Sequence, residues 1–369
     1  MQREDGKAGS LPARFADLKR SIVPDEESKA RVEAAWNDLL GELLTVVGEI
    51  KTNSSSIIPQ VEFSELQNLT LEQIDLIKRR GTVLIKNVVD DYQAISWREE
   101  PKKYVKTNPV EGFPEEDKQF FELHWTRPQV QARAHPNVLL QLGIWLNNLY
   151  HLDASNEKVW IRHPGVQRAA HPPHIDGATI ERWEDRSLRD TFGDILRGEW
   201  RKHDPYNIAS RLQANYSMYG RPEQASVFRT FQGWLALSET SPHEGTLQVF
   251  PDVFDIGTPA FPGIFEKDGR YWGPRLTSES HPHMRLEETM ISVPAVRPGD
   301  MEDSAVVYIP AVPLTPQNIE YVKRQKETFL KGATAPDFPK TAGEGTFIGV
   351  GKEGDVIGEL ARRAMGLAW

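Results

Sequence analysis

From Lys158 to Gly177 the chain reads KVWIRHPGVQRAAHPPHIDG. Val159 to His163 has the texture of a short strand closed by the Pro164-Gly165 turn. Beyond it, the turn-forming Pro172-Pro173 leads into His174-Ile175-Asp176-Gly177. A strand followed by a turn is where the mouth of a sheet presents ligands. Side chains two apart on extended backbone point the same way, and non-haem iron(II) sites take two histidines and one carboxylate on a single face. His174 and Asp176 are therefore candidate metal ligands.

The triplet His-x-Asp is weak by itself. With ten histidines and 21 aspartates in 369 residues, chance supplies about half an occurrence, and a second copy exists at His151-Leu152-Asp153. Context separates the two. His151 closes a predicted helix, where a histidine commonly meets the last carbonyls, so it reads as structural. His163 and His171 read as surface or outer-layer residues.

Outward from this stretch, short β-rich runs alternate with Gly, Pro and Asp turns. They are Ala225 to Ser238 (ASVFRTFQGWLALS), Gly245 to Phe250, Thr289 to Val296 and Ala305 to Ile309. Such spacing predicts a sandwich or barrel. Upstream the periods are helical. Val32, Trp36, Leu39, Leu40, Leu43, Leu44, Val47 and Ile50 form one stripe behind Asp25. Thr70 with Gln73 reads as a capping box and Gly81 as the helix stop. Thr82 to Val89 (TVLIKNVV) reads as a strand, Asp90 to about Thr107 as a helix interrupted at Pro101, and Asn137 to about His151 as a helix led by Pro136. Thr315-Pro316 opens a last long helix that ends near Gly332.

The expectation is an α+β chain. Residues 1–20 form a loose leader and residues 21–369 one domain. Within it, 21–157 make a helical layer, 158–314 a β core, and 315–369 a C-terminal helix and tail.

Composition narrows the partners. A net charge of -9 speaks against nucleic acid or an anionic membrane surface, both of which attract basic proteins. With no cysteine, disulfides, thiolate catalysis and Cys-based metal sites are excluded. Met1 to Phe15 lacks the apolar core of a signal peptide, and no apolar run approaches the ~20 residues of a membrane span. A soluble, cytoplasmic chain acting on a small molecule is the expectation.

The run His174-Ile175-Asp176-Gly177-Ala178-Thr179-Ile180-Glu181-Arg182-Trp183 resembles the PHxDGxSxERW signature of domain-of-unknown-function family 1479, a branch of the clavaminate-synthase-like dioxygenases. The resemblance continues through Arg80-Gly81-Thr82-Val83, Ala132-Arg133-Ala134-His135-Pro136, Ser226 to Trp234, Glu244-Gly245-Thr246-Leu247, Arg297-Pro298-Gly299-Asp300 and Tyr308 to Leu314. It implies a double-stranded β-helix (a jelly roll, cupin-like) with iron(II) and 2-oxoglutarate as cofactors and oxidation of a small organic molecule. The carboxylate of 2-oxoglutarate wants a bidentate guanidinium. Arg229, in a predicted core strand, is the first choice and Arg182, inside the matched motif, the second; each could instead serve a structural ion pair. Trp183 and Trp234 are candidate pocket walls or, equally in keeping with a jelly roll, core.

One departure stands out. In this resemblance the Pro-Gly-Asp turn leads into a strand and then the distal metal-binding histidine. Here Pro298-Gly299-Asp300 is followed by Met301-Glu302-Asp303 and at once by Ser304 to Tyr308, and no histidine follows His283. A core strand segment is missing after Asp300, which would leave two sheet edges to be covered. His243, His281 and His283 are the substitutes on offer, each reading as an ordinary loop histidine. The chain is then an oxygenase with a weakened metal site, a pseudoenzyme that binds a ligand or partner without turnover, or a non-redox metal lyase or isomerase.

Overall fold

The computed structural model describes residues 13–110, 112–113, 120–121, 123–138, 143–151, 181–220, 226–244, 246–252, 278, 282–300, 306–311, 315–338 and 343–368. Over these the chain mixes helices with small sheets. Residues 13–20, expected as leader, belong to helix α1 (Ala13–Ile22). Leu18 and Ile22, four apart on one face, rest on a cluster that includes Val32, Ala35, Leu39 and Trp183. Arg14 Nε lies 3.1 Å from Glu184 Oε1.

Helix α2 (Glu26–Asn53) starts where Asp25 accepts a hydrogen bond from Ser28 N at 2.7 Å. It buries Val32, Ala35, Leu39, Leu43, Val46, Val47 and Ile50, while Leu44, at the flank of the predicted stripe, is 57% exposed. Strand β1 (Gln60–Glu62) pairs in parallel with β2 (Leu84–Lys86). Between them α3 (Leu71–Arg80) carries the Thr70–Gln73 capping box and stops at Gly81, whose φ of 65° suits glycine. Helix α4 (Asp91–Thr107) runs through Pro101 instead of breaking there. A proline costs one backbone bond, and the buried Ala94, Trp97 and Tyr104 around it hold the helix by packing. The hairpin β3 (Gly112–Phe113) with β4 (Phe120–Phe121) follows, then α5 (Arg127–Arg133) and α6 (Ile144–Asn147), the part of the predicted 137–151 helix that is regular among the described residues. Next come α7 (Glu181–Glu184), α8 (Arg186–Asp190) and α9 (Gly193–Leu196).

Two further antiparallel pairs complete the sheets: β5 (Phe231–Ala236) with β8 (Val306–Ala311), and β6 (Gln248–Val249) with β7 (Ile291–Ser292). Each sheet has two strands and none is closed among the described residues. The long strand predicted from Ala225 begins only at Phe231, because side chains of the C-terminal helix Pro316–Lys331 take the backbone groups of the preceding segment. The strand predicted from Thr289 begins at Ile291, behind a short helix, Leu286–Thr289. The Val159–Gly165 strand lies outside the described residues. The main apolar cluster joins β1, β2, α3, α4 and β5 through residues such as Val61, Ile77, Ile85, Trp97 and Leu235. No described helix is long and apolar enough to cross a membrane.

The Pro298-Gly299-Asp300 turn is the junction of this β region. Gly299 N donates to Ala236 O at 2.9 Å and Ala236 N donates to Asp300 O at 2.7 Å. Gly299 O accepts from Val88 N and Val89 N at 3.0 and 3.1 Å. The Asp300 carboxylate, 4% exposed, takes Asn87 N and Arg297 N, each at 2.9 Å. Farther along, Thr240 and Val296 exchange both backbone bonds at 3.1 and 3.0 Å. Residues 296–300 thus line one edge of the β5 strand and its continuation, while β8 lines the other. Ala236 also sits opposite Val306, so both ends of the 301–305 link meet at one residue. The edges expected to open are occupied at Ala236.

The C-terminal region is tied down by one buried carboxylate. Glu344 accepts from Tyr104 OH at 2.7 Å, Trp125 N at 3.3 Å and His124 N. Arg133 Nη1 donates to His124 O at 2.8 Å. Burial, with Arg133 adding to it, pushes the His124 imidazole down to about 4.

Two outcomes follow from this packing. A Cβ on Gly299, which has φ 89°, would lie 2.0 Å from Val89 O, so G299A should cost at least about 2 kcal/mol in urea unfolding. Gly41, an α2 position where a Cβ meets nothing within 4 Å, should gain about 0.5–1 kcal/mol as G41A. For His124, the unfolded chain binds a proton near pH 6.5 that the folded chain takes only near pH 4. Stability should therefore fall as pH drops from 6.5 to 4, by roughly 3 kcal/mol at the acid end. Urea titrations of H124F across that window should show a shallower loss than the parent chain.

Candidate functional site

The segment entering β5 is held residue by residue. Ser226 N and Oγ donate to Asp337 Oδ2 at 2.8 and 2.9 Å, and Arg324 Nη2 donates to Ser226 Oγ at 2.6 Å. Phe228 N donates to Asn318 Oδ1 at 2.8 Å, and Asn318 Nδ2 donates to Phe228 O at 2.9 Å. Thr230 Oγ1 donates to Asn147 Oδ1 at 2.7 Å, while Tyr150 OH donates to Thr230 O at 2.8 Å. Backbone that lacks a strand partner must find other partners when it leaves water, and here side chains supply them.

Arg229 lies between these anchors and has no comparable satisfaction. It is half-buried, and its Nε is out of contact with solvent with no hydrogen-bond partner. No described carboxylate pairs with it. The structural ion pair that could have explained Arg229 is thus not found among the described residues. Its charge is felt by Tyr321, 1% exposed on the C-terminal helix: burial raises the phenol above its usual range, against the opposing pull of Arg229. A guanidinium with a dry, unmatched nitrogen is costly without an anion and well disposed to receive one.

Around it stand aromatic and cationic groups. Tyr216 stacks on Phe228 with ring centres 5.3 Å apart and planes 5° from parallel. The Arg211 guanidinium sits 5.7 Å from the Phe228 ring and 5.6 Å from that of Tyr150. Arg182, on α7, lies 5.5 Å from the Phe192 ring and acts electrostatically on Tyr216. Tyr216 therefore links the neighbourhoods of the two arginines singled out in the sequence. Trp183, 7% exposed, packs with the α2 cluster and sits 5.5 Å from Phe192. Trp234, half-buried on β5, stands opposite Tyr308 in the register.

His174 and Asp176 lie outside the described residues, as do His163, His171 and His281. Of the substitute ligands, His243 is exposed in a turn at φ 70°, its N–H on Ser292 Oγ at 3.2 Å. His283 meets the Trp36 ring edge-on at 5.1 Å. His151 Nε2 sits 2.9 Å from Asp204 Oδ2, and its backbone bonds to Tyr206 and Ile208, in keeping with a structural role. Among the described residues no three His, Asp or Glu side chains gather closely enough to hold a metal. Sequence reasoning missed Asn318, Asp337, Asn147 and Tyr216. No local pattern marks them, since each acts across a long sequence separation.

The sequence profile described as Gig2-like matches residues 9–367. A protein of Escherichia coli strain K12 called YbiU is 27% identical over 364 residues, covering 84% of this chain and 86% of its own. The structure of GlcNAc Inducible Gene 2 from Candida albicans, of domain-of-unknown-function family 1479, is 26% identical. It superposes with a TM-score of 0.78 over 98% of this chain and 91% of that one. A protein of Salmonella typhimurium LT2, provisionally named an oxidoreductase, shares the fold with a TM-score of 0.79 at 23% identity, over 97% and 98% of the two chains.

The contrast between two arginines gives a stability test. Arg80, 9% exposed, is paired with Asp252, which is 0% exposed, and its Nη2 lies 3.1 Å from Glu49 Oε2. R80M takes away the nearer cation of buried Asp252, leaving Arg79 Nε at 3.9 Å, and should cost about 3 kcal/mol. R229M removes a cation with no such partner and should change stability by less than about 1 kcal/mol in either direction, as read by thermal unfolding of both variants.

Proposed function

Since the chain belongs to the Gig2-like family, we propose that it is an oxidoreductase of the iron(II)/2-oxoglutarate class on a double-stranded β-helix, acting on a small organic molecule. The observation that carries the reading is Arg229. Its orphaned Nε and half-buried setting fit a dicarboxylate co-substrate, whose terminal carboxylate offers two acceptors to one guanidinium. Arg182, whose charge acts on Tyr216, is the second candidate cation.

For the metal, His174 and Asp176 supply two donors of the right chemical type. The third donor is the weak point, because the chain has no histidine after position 283, and His243 and His283 are engaged as described above. Bound iron(II) with 2-oxoglutarate would supply the oxidising chemistry, which belongs to the cofactors. This chain's part is to hold the carboxylate at Arg229, keep the ring faces of Phe228 and Tyr216 beside it, and shield the site from water. Two protein donors hold a metal less tightly than three, so turnover is expected to be low.

A second reading, carboxylate binding without turnover, is favoured by one observation: the 301–305 link joins two positions facing the same residue, Ala236. Anaerobic titration with iron(II) and 2-oxoglutarate separates the two. The oxidoreductase reading expects the metal-to-ligand charge-transfer band and succinate release, both lost in H174A. 2-Oxoglutarate binding by calorimetry with neither band nor succinate would establish the binding protein instead. No binding in the parent chain, or undiminished binding in R229M, would overturn both.

A further inference from the structure

We infer that Asn318 is a positioning residue for Arg229: its carboxamide fixes the backbone of Phe228 and so aims the next side chain at the ligand carboxylate. This rests on the reading of Arg229 as the carboxylate anchor.

Asn318 is 1% exposed in the first turn of the helix Pro316–Lys331, and its own N–H is taken by Thr315 Oγ1 at 3.1 Å. The side chain is therefore held from behind before it reaches across. It then makes two bonds to a single residue, accepting from Phe228 N at 2.8 Å and donating to Phe228 O at 2.9 Å. A carboxamide donates and accepts through one rigid planar group whatever the pH. The pair of bonds does for Phe228 what a neighbouring strand would do, and it explains why the sheet begins three residues later.

The same helix also holds the two residues before Phe228. Val227 packs on Tyr321, and Ser226 is bonded by Arg324. Past Arg229, Thr230 is fixed by Asn147 and Tyr150. Arg229 thus emerges from backbone gripped one residue before and one residue after, while its guanidinium keeps an unused nitrogen. Such a construction is stiff at the backbone and leaves the Nε without a partner. Displacement of a binding group by about 1 Å can cost 10²-fold in function, so the support matters as much as the charge.

The rival account is that Asn318 only staples a helix to a sheet. A double-mutant cycle on 2-oxoglutarate affinity, measured calorimetrically on the full chain under anaerobic iron(II), separates the two. V322A serves as the control for general loosening, because Val322 is equally buried on the same helix and lies against Gly366. N318L should weaken binding by at least about fivefold and R229K by about tenfold, whereas V322A should stay within about twofold of the parent. In the R229K background, N318L should add no more than about twofold, since its effect passes through the arginine. Full affinity in N318L, losses that multiply in the double variant, or an equal loss in V322A would each overturn the inference. Undiminished binding in R229K and R229M would instead remove the anchor, and the inference with it. Should N318L fail to fold, N318D, which keeps the acceptor and lacks the donor, takes its place with an expected loss of at least about threefold.

Discussion

Ala236 carries the constraint on which the β region turns. Both its backbone groups are spent on the Pro298-Gly299-Asp300 turn, while the strand that follows the turn pairs opposite it from the other side. A residue whose N–H and C=O point to one edge can meet its other neighbour only as a non-hydrogen-bonded pair, and that is the place left to Val306. The turn is equally committed on its far side, where Gly299 O caps the exit of β2 through Val88 and Val89. Three pieces of chain far apart in sequence converge on one glycine with no room for a side chain.

The arrangement at Arg229 answers a different demand. A folded chain normally matches a buried polar nitrogen, and the sequence offers 53 acidic residues with which to do so. Arg80, Arg133 and Arg211 likewise keep an unmatched Nε, but other nitrogens of the same guanidinium are matched, Arg80 to Asp252 and Glu49, Arg133 to the His124 carbonyl and Arg211 to the Pro205 carbonyl. The cost of leaving one nitrogen unmatched is tolerated where the flanking backbone leaves the side chain little choice. Here the flanks are held by Asn318 on one side and by Asn147 and Tyr150 on the other.

Much of the helical frame was legible in advance, because caps are local. Asp25, the Thr70–Gln73 box, Gly81, Thr315 and Gly332 all act within a turn of the residues they serve, and each stands where the pattern put it. The β region was legible only as a texture. The run from Ala225 has strand composition throughout, yet its first half is satisfied by side chains from residues 318 and 337, 90 and 111 positions away from the groups they bind, and no local propensity encodes that. Pro101 misled in the opposite sense, since its local cost was outweighed by the burial of Trp97 and Tyr104. Trp183 could have been pocket or core, and its contacts with α2 are core contacts. Arg229 was singled out because a charge in an apolar run needs a reason. What the sequence could not say was whether a carboxylate of the same chain supplied it.

The two halves of the proposed chemistry rest on separate supports. The arginine depends on helix 316–331 and on Asn147 and Tyr150, whereas the histidine and aspartate at 174 and 176 belong to a motif that continues into α7, and α7 is seated on α2 and α1. The bonds described above for residues 226–230 come from Asn318, Arg324, Asp337, Asn147 and Tyr150, none of which belongs to the Pro-Gly-Asp turn. Under the proposed reading, a metal donor missing downstream of Asp300 would therefore leave the support of Arg229 intact. On that reading, then, carboxylate binding and turnover would depend on different parts of the sequence, and one could be lost without the other.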